Sequence, residues 1–200
     1  MPASRGRPPT FDRDEVLTKL LFLFWERGYA ATSQADMVER AGISSSSLYN
    51  AFGNKPDIFD AAAERYNQMM YAGLAPLRDG TAGLADVEEF LQCAVDKTRA
   101  AETPPGCLMV RTMTELGGRP SAPPTAEERT CTYRDQITDA LHQALGRAAE
   151  ADELAAPEIE TKAQLVLSII LGAMAVAVSN REGGASMLES GVAMVAGWRA

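Results

Sequence analysis

The chain has 200 residues, 46% of them hydrophobic, which is enough to build a core in one or two small domains. Its formal net charge is −8, but residues 1–56 contain seven Lys/Arg and six Asp/Glu, and the other residues contain twelve and twenty-one. The acidic excess therefore belongs to the C-terminal part, and the nearly neutral N-terminal part permits nucleic-acid binding. A DNA-packaging protein is disfavoured, because it should be basic overall. The basic arm Arg5-Gly6-Arg7-Pro8 is either a minor-groove contact or a solubilising tail.

The sequence gives no sign of export, membrane insertion or metal binding. Residues 1–10 are polar and lack a signal-peptide pattern, and the longest apolar stretch, residues 165–178, is judged too short to span a bilayer. We therefore expect a cytoplasmic protein with no membrane partner. Cys93, Cys107 and Cys131 lie far apart without CxxC spacing, so we expect three reduced thiols, no metal and no cofactor.

Helical patterns follow one another along the chain. Apolar residues from Val16 to Trp25 recur on one helical face, with Asp12 as a start signal and Gly28 as a stop, and predict a helix over residues 13–27. Two short helices are predicted next, over residues 34–41 and 45–52. Further helices are predicted over residues 54–77, 84–101, 107–116, 125–149, 157–180 and 187–198, where Thr125 and Glu128 form a capping box at the start of the helix over residues 125–149. With no strand-like alternation, the chain is expected to be all-α with about nine helices.

The two short helices have the layout of a helix-turn-helix, with Gly42 in the turn. Leu48 and Phe52 of the second helix can pack inward, which leaves its polar side chains facing outward: Ser45, Ser46, Ser47, Tyr49 and Asn50. In this motif the second helix enters the major groove, where hydroxyl and carboxamide groups read bases or bind phosphate. Tyr49 and Lys55 flank this surface and suit phosphate contacts.

Residues 28–33 (GYAATS), 41–44 (AGIS) and 48–55 (LYNAFGNK) together resemble the TetR family of transcriptional repressors, over about residues 11–60. The resemblance implies phosphate contacts from Thr32 or Ser33 and from Ser44, Tyr49 and Lys55, and base contacts from Ser45, Ser47 and Asn50. The family commonly has glycine where Ser46 stands. The serine run also has no Arg or Lys for guanine, so the operator sequence cannot be derived and DNA shape could contribute to specificity.

The resemblance divides the chain into a helix-turn-helix DNA-binding domain, residues 1–60, and a ligand-binding and dimerisation domain, residues 61–200. It implies a repressor that binds a palindromic double-stranded operator as a homodimer. A small-molecule effector would release it by moving the long helix after the recognition helix. An activator is the alternative. An enzyme is not expected, because His142 is the only histidine and no phosphate-binding loop or nucleophile motif is present.

The last two predicted helices are apolar nearly all round, which fits either a four-helix dimer interface or burial inside one chain. The residues predicted for the interface are Leu167, Ile170, Leu171, Met174, Val178, Met194 and Trp198.

Methionines and aromatic residues in the middle helices, which suit an adaptable pocket, are the candidate ligand contacts: Tyr66, Met70, Phe90, Cys107, Met109, Met113 and Tyr133. Residues 104–108 (PPGCL) also resemble a Gly-Cys-Leu element of one branch of the family, some members of which sense electrophiles or oxidants. Cys107 at a helix N-terminus is either a reactive thiol with a lowered pKa or a small residue packed into the bend.

Overall fold

The computed structural model describes residues 11–100 and 102–199, and within these residues it is all-α, as expected. The basic arm at residues 5–8 lies outside them. The ten helices are α1 Arg13–Arg27, α2 Gln34–Ala41, α3 Ser45–Phe52, α4 Lys55–Gly73, α5 Ala75–Asp79, α6 Leu84–Ala100, α7 Leu108–Leu116, α8 Ala126–Glu150, α9 Ile159–Ala177 and α10 Arg181–Ala196, with a 3-10 turn at Ala156–Glu158.

The three N-terminal helices have the bounds that the sequence predicts, because each begins at a side-chain cap. The Asp12 carboxylate accepts from the backbone N–H groups of Asp14 and Glu15, and the Ser44 hydroxyl accepts from Ser47 N–H at 3.1 Å. Glycines 28, 42 and 53 end the three helices with positive φ angles. Together with the first part of α4, these helices enclose a small core. Its most buried members include Leu20, Phe24, Met37, Leu48 and Phe59.

The single helix predicted over residues 54–77 is two helices, because α4 ends at Gly73 and α5 begins at Ala75. Pro76 accounts for the break. Proline has no N–H to donate to the carbonyl four residues earlier, and its ring would clash with that carbonyl. The structure therefore has one helix more than the sequence predicts.

The last helix begins at Arg181, six positions before the predicted start at Met187. The Asn180 side chain caps it by accepting from Gly183 N–H at 2.9 Å. A Cβ at Gly184 would lie 2.6 Å from the carbonyl oxygen of Ala173, so this glycine lets α10 pack closely on α9. The adjacent glycines look like a helix break in the sequence, but in the structure they allow a close helix crossing.

The capping box predicted at Thr125 and Glu128 is wrong. Thr125 makes no side-chain cap of α8. Its hydroxyl instead hydrogen-bonds the Asp60 carboxylate on α4, where it contributes to a lowered pKa of that group.

Helix α9 packs on α8 and α10, and the residues that face outward from it differ from those predicted. Ile170 is buried, so its predicted place in an intermolecular interface is wrong. The other six predicted residues are half-buried, and most pack against the core of the chain itself: Leu167, Leu171, Met174, Val178, Met194 and Trp198. A helix that is apolar all round carries no amphipathic signal to mark its outer face.

The outward face of this pair of helices is a different stripe, formed by Leu165, Ile169, Gly172 and Val176 of α9 together with Met187 of α10. We call it the α9–α10 face. Leu165, Val176 and Met187 are 46%, 37% and 37% exposed. By length and hydropathy alone, residues 156–177 are long and apolar enough to cross a membrane. The apolar run predicted from the sequence, residues 165–178, is shorter because the helix begins before it. Such a signal is weak, since the core helix of a protein without any membrane segment gives it too.

Candidate DNA-binding face and central cavity

The N-terminal half of α3 presents a polar surface. Ser44, Ser45, Ser46 and Asn50 are exposed, whereas Leu48 on the opposite side is fully buried. The alternation follows from the helical period, since residues 48 and 52 face the core. The polar side of α3 is therefore not packed against the rest of the described chain.

Hydroxyl groups form a small network at the start of α3. Ser44 Oγ donates to Ser47 Oγ at 2.8 Å and lies 3.1 Å from Ser46 Oγ. The first N–H groups of a helix have no partner within the helix and favour anionic ligands. Ser47 is half-buried and held by Ser44, so the hydroxyls of Ser45 and Ser46 are more accessible than that of Ser47.

Of the two predicted phosphate contacts before α2, the structure rejects one. Thr32 is fully buried, and its hydroxyl donates to the carbonyl oxygen of Gly28 at 2.6 Å, so its side chain cannot reach DNA. Ser33 is exposed and caps α2 in a reciprocal pair with Asp36. The sequence left Thr32 and Ser33 as alternatives because either hydroxyl could cap the helix.

Tyr49 and Lys55 are both half-buried beside this surface. The Lys55 ammonium lies 4.3 Å from the centre of the Tyr29 ring, a cation–π arrangement. Partial burial lowers the pKa of Lys55, while Glu115 and Asp36 act in the opposite direction. The Tyr49 hydroxyl oxygen is buried and has no hydrogen-bond partner among the described residues, so in this structure it is not open to the phosphate contact predicted for it. We call Ser33, Lys55 and the polar side of α3 from Ser44 to Asn50 the α3 face.

A cavity of about 520 Å³ lies in the C-terminal part, within the size range of small-molecule sites. It lies between α4, α6, α8, α9 and α10 and the segment before α7. Five of the seven predicted ligand contacts line it: Tyr66, Met70, Phe90, Cys107 and Tyr133. Met109 and Met113 do not line it, and Met109 is fully buried elsewhere in the core.

Several lining residues were not predicted as ligand contacts, including Trp25, Ile137, Ile170, Met174 and Leu188. Ile170 and Met174 were assigned to a dimer interface, and Trp25 to the packing of α1. In a helix with apolar residues on every side, the sequence does not tell which residues face a cavity and which a neighbouring helix. The helix crossings decide this.

Of the two alternatives for Cys107, the structure disfavours a reactive thiol with a lowered pKa. Cys107 is the N-cap of α7, and its sulfur accepts from Val110 N–H at 3.5 Å, but only 2% of the residue is exposed. Burial raises the pKa of this thiol, and hydrogen bonds from Tyr133 and Tyr66 only partly oppose it. The desolvation of the thiolate outweighs the helix N-terminus, which favours the alternative of a buried packing residue.

Hydrogen bonds join α1 and the segment after it to α7 and the segment before α7. Trp25 Nε1 donates to the carbonyl oxygen of Gly106 at 3.1 Å, at the edge of the cavity. The Glu115 carboxylate accepts from the N–H groups of Tyr29 and Ala30, at 3.1 and 2.5 Å. The segment after α1 is therefore held by a side chain of α7.

Known proteins are similar to this chain in sequence and in fold. The family described as bacterial regulatory proteins, tetR family, matches residues 18–62, which include α2 and α3. The HTH-type transcriptional repressor ComR of Escherichia coli is 37% identical over 118 residues, which are 56% of this chain and 55% of that protein. The chain thus spans little more than half the length of ComR in that match. The uncharacterized HTH-type transcriptional regulator YezE of Bacillus subtilis is 29% identical over 152 residues, 74% of this chain and 76% of that protein.

A solved structure extends the similarity over nearly the whole chain. A cysteine mutant of the TetR family transcriptional regulator CifR, complexed with 26bp double-strand operator DNA, has a TM-score of 0.81 and 28% identity. The match covers 94% of this chain and 98% of that one. These relatives are named as transcriptional regulators, in agreement with the expectation that the chain is not an enzyme. Residues 18–62 thus match the tetR family of bacterial regulatory proteins, and the chain has the fold of TetR family transcriptional regulators.

Proposed function

We propose that the chain is a cytoplasmic transcriptional regulator that binds a palindromic operator as a homodimer and is released by a small molecule bound in the cavity. Residues 1–60 form the DNA-binding domain and residues 61–200 the effector and dimerisation domain. The observation that carries the proposal is the α3 face, where Ser44, Ser45, Ser46 and Asn50 are exposed while Leu48 on the opposite side of the helix is buried. Repression is the mode that the name of ComR supports.

DNA binding is supported by the shape and chemistry of the α3 face. An eight-residue helix whose polar side is open fits the major groove, which admits one helix. Hydroxyl and carboxamide groups can hydrogen-bond to base edges, and the N-termini of α2 and α3 offer N–H groups to phosphates. The likeness to CifR, which was solved on operator DNA, supports the same use of this chain.

Dimerisation is supported by the α9–α10 face. Its large apolar side chains stand in one stripe, unlike single exposed residues scattered over a surface. Two such faces meeting across a twofold axis would form a four-helix interface and would present two α3 helices to a palindrome.

Release by an effector is supported by the position of the cavity. Its wall includes Tyr66 and Met70 of α4, the helix that follows α3, and Trp25 of α1. A molecule in the cavity therefore touches α4, which begins at Lys55 of the α3 face, and α1, which packs on α2. It would lower operator affinity if it binds better to a spacing of the two α3 helices that does not match the operator.

The experiment begins with selection of tight-binding duplexes from a random library, followed by anisotropy titrations of the full chain. Asn50→Ala should change the preference among selected duplexes, by about 1–3 kcal/mol at the affected base pair, because a side chain at a base edge is removed. Lys55→Ala should weaken all duplexes alike. It should also flatten the slope of log affinity against log salt by about 0.9 for each phosphate that the variant no longer neutralises.

The matched controls remove an amide and an ammonium side chain from the C-terminal part. Gln143→Ala on α8 and Lys97→Ala on α6 alter exposed side chains away from the α3 face and should leave affinity, preference and salt slope unchanged. Selection that enriches no palindromic duplex, or an Asn50→Ala protein with an unchanged preference and affinity, would show that α3 does not read DNA.

A further inference from the structure

We propose that the effector is an uncharged, largely apolar molecule with a single hydrogen-bond acceptor, such as a ketone, and that this acceptor lies against the hydroxyl groups of Tyr66 and Tyr133. The inference rests on the proposed function, in which the cavity is the effector site. It adds the chemical class of the ligand and its orientation.

The walls of the cavity select for an apolar body. Aromatic and aliphatic side chains from separate helices form them, including Trp25, Phe90, Ile137, Met174 and Leu188. The cavity of about 520 Å³ has room for a ligand whose rings or alkyl groups pack against these side chains. Binding there removes the apolar surface of the ligand from water.

The inner end of the cavity offers hydrogen-bond donors. Tyr66, Tyr133 and Cys107 form a cluster there, 1%, 5% and 2% exposed. Burial raises the pKa of each of the three groups, so all are neutral and protonated near pH 7. Both tyrosine hydroxyls hydrogen-bond the Cys107 sulfur, which is a weak acceptor, and the Tyr66 oxygen in addition accepts from the backbone N–H of Leu108. A carbonyl oxygen of a ligand is a better partner for these hydroxyls.

The charged side chains at the cavity are unsuited to hold a charged ligand at its inner end. Asp96, Lys97 and Glu102 are exposed at the mouth. Arg181 is half-buried, and its two terminal nitrogens donate to the carbonyl oxygens of Thr98 and Thr103, each at 3.0 Å. An ionised group against the tyrosine pair would therefore be buried without a counter-charge from the residues that the structure describes, which is strongly unfavourable.

Four probes with one ring system test the inference by isothermal titration calorimetry on the full chain without DNA. They are 2-acetylnaphthalene, its hydrocarbon analogue 2-isopropenylnaphthalene, 2-naphthoate and 2-naphthylmethylammonium. The ketone should bind most tightly. The two ions should bind at least about a hundredfold more weakly, because they would be desolvated beside the neutral tyrosine pair. The hydrocarbon should bind about fivefold more weakly, the size of one neutral hydrogen bond.

Two variants test the orientation. Tyr133→Phe keeps the ring and should reduce the preference for the ketone over the hydrocarbon by about fivefold, because it removes one donor. Tyr71→Phe removes an exposed hydroxyl from α4 outside the cavity and should leave that preference unchanged.

If 2-naphthoate or the ammonium binds as tightly as the ketone, if no probe binds, or if Tyr133→Phe leaves the preference intact, the inference is wrong. Operator binding is measured separately, so a protein that binds duplexes and fails these tests would contradict the ligand class and not the proposed function.

Discussion

Asp60 and Arg129 link α4, the helix that follows α3, to α8 in the C-terminal part. Arg129 Nε and Nη2 donate to the two oxygens of Asp60 at 2.7 and 3.1 Å, and Nη2 also reaches Glu64 at 2.7 Å. The hydrogen bonds from Arg129 hold the pKa of Asp60 below its ordinary value, although partial burial acts against them and Thr125 adds to them. The two-oxygen geometry makes this pair stronger than a single surface ion pair.

This link makes part of the stability depend on pH. Because the folded-state pKa of Asp60 is lowered, its stabilisation is complete above the ordinary carboxyl pKa of about 3.9 and is lost as pH falls through the lowered value. Between pH 6 and pH 2.5, the free energy of unfolding from urea titrations should fall by roughly 1 kcal/mol more in the wild type than in Asp60→Asn, allowing for the partial exposure of both groups. Asp135→Asn, at an exposed position of α8, should behave like the wild type. An equal fall in all three proteins would contradict this role of Asp60.

At the level of elements, the contact between the end of α1 and α7 is a second connection, besides α4, between the N-terminal helices and the C-terminal part. Gly28 has a φ of +82°, and a Cβ there would lie 2.3 Å from a Glu115 oxygen, so this position needs glycine for both conformation and space. The Glu115 carboxylate then takes the place of the helix in satisfying the next two N–H groups, those of Tyr29 and Ala30.

Glu115→Gln tests this connection with little change in size. The amide has one acceptor oxygen instead of two, so one of the N–H groups of Tyr29 and Ala30 would face a donor. We expect a loss of roughly 1–2 kcal/mol of stability and faster hydrogen exchange at these two amides. Glu89→Gln, exposed on α6, is the matched control and should change neither. Unchanged exchange at Tyr29 and Ala30 in the Glu115 variant would show that the carboxylate does not hold this segment.

Local signals predicted most of the elements, and they failed where tertiary packing overrides them. The bounds of α1, α2 and α3 were predicted correctly because the capping residue and the terminal glycine of each helix directly flank it in the sequence. The start of α10 was predicted too late because the close packing at Gly184 depends on α9, and the capping role of Thr125 was wrong because its partner Asp60 is distant in the chain. The α3 face was predictable from helical period alone, except for Thr32, whose hydroxyl turns back to Gly28.

At the scale of the whole molecule, the sequence indicated which types of residue line the cavity but not which helices enclose it. Methionines and aromatics in the middle helices indicated four of its lining residues, and Cys107 was the fifth, but Trp25 comes from α1 and Ile170 from α9. These helices meet only in the folded chain. Helix α9 therefore has two functions that its sequence does not separate: Ile170 and Met174 line the cavity, while the opposite stripe belongs to the α9–α10 face.

The α9–α10 face gives the prediction for the assembled protein. Leu165→Glu combined with Val176→Glu places two charges per chain in the middle of the proposed interface, where they would be desolvated without partners. Light scattering after size exclusion should show a dimer for the wild type and a monomer for this variant, with a dimer dissociation constant raised at least about a hundredfold. Ala72→Glu, at an exposed position of α4, should remain dimeric. The monomer should keep its helical circular dichroism and still lose most of its operator affinity, because a single α3 helix contacts only one half-site. If the double variant remains dimeric, the α9–α10 face is not the dimer interface.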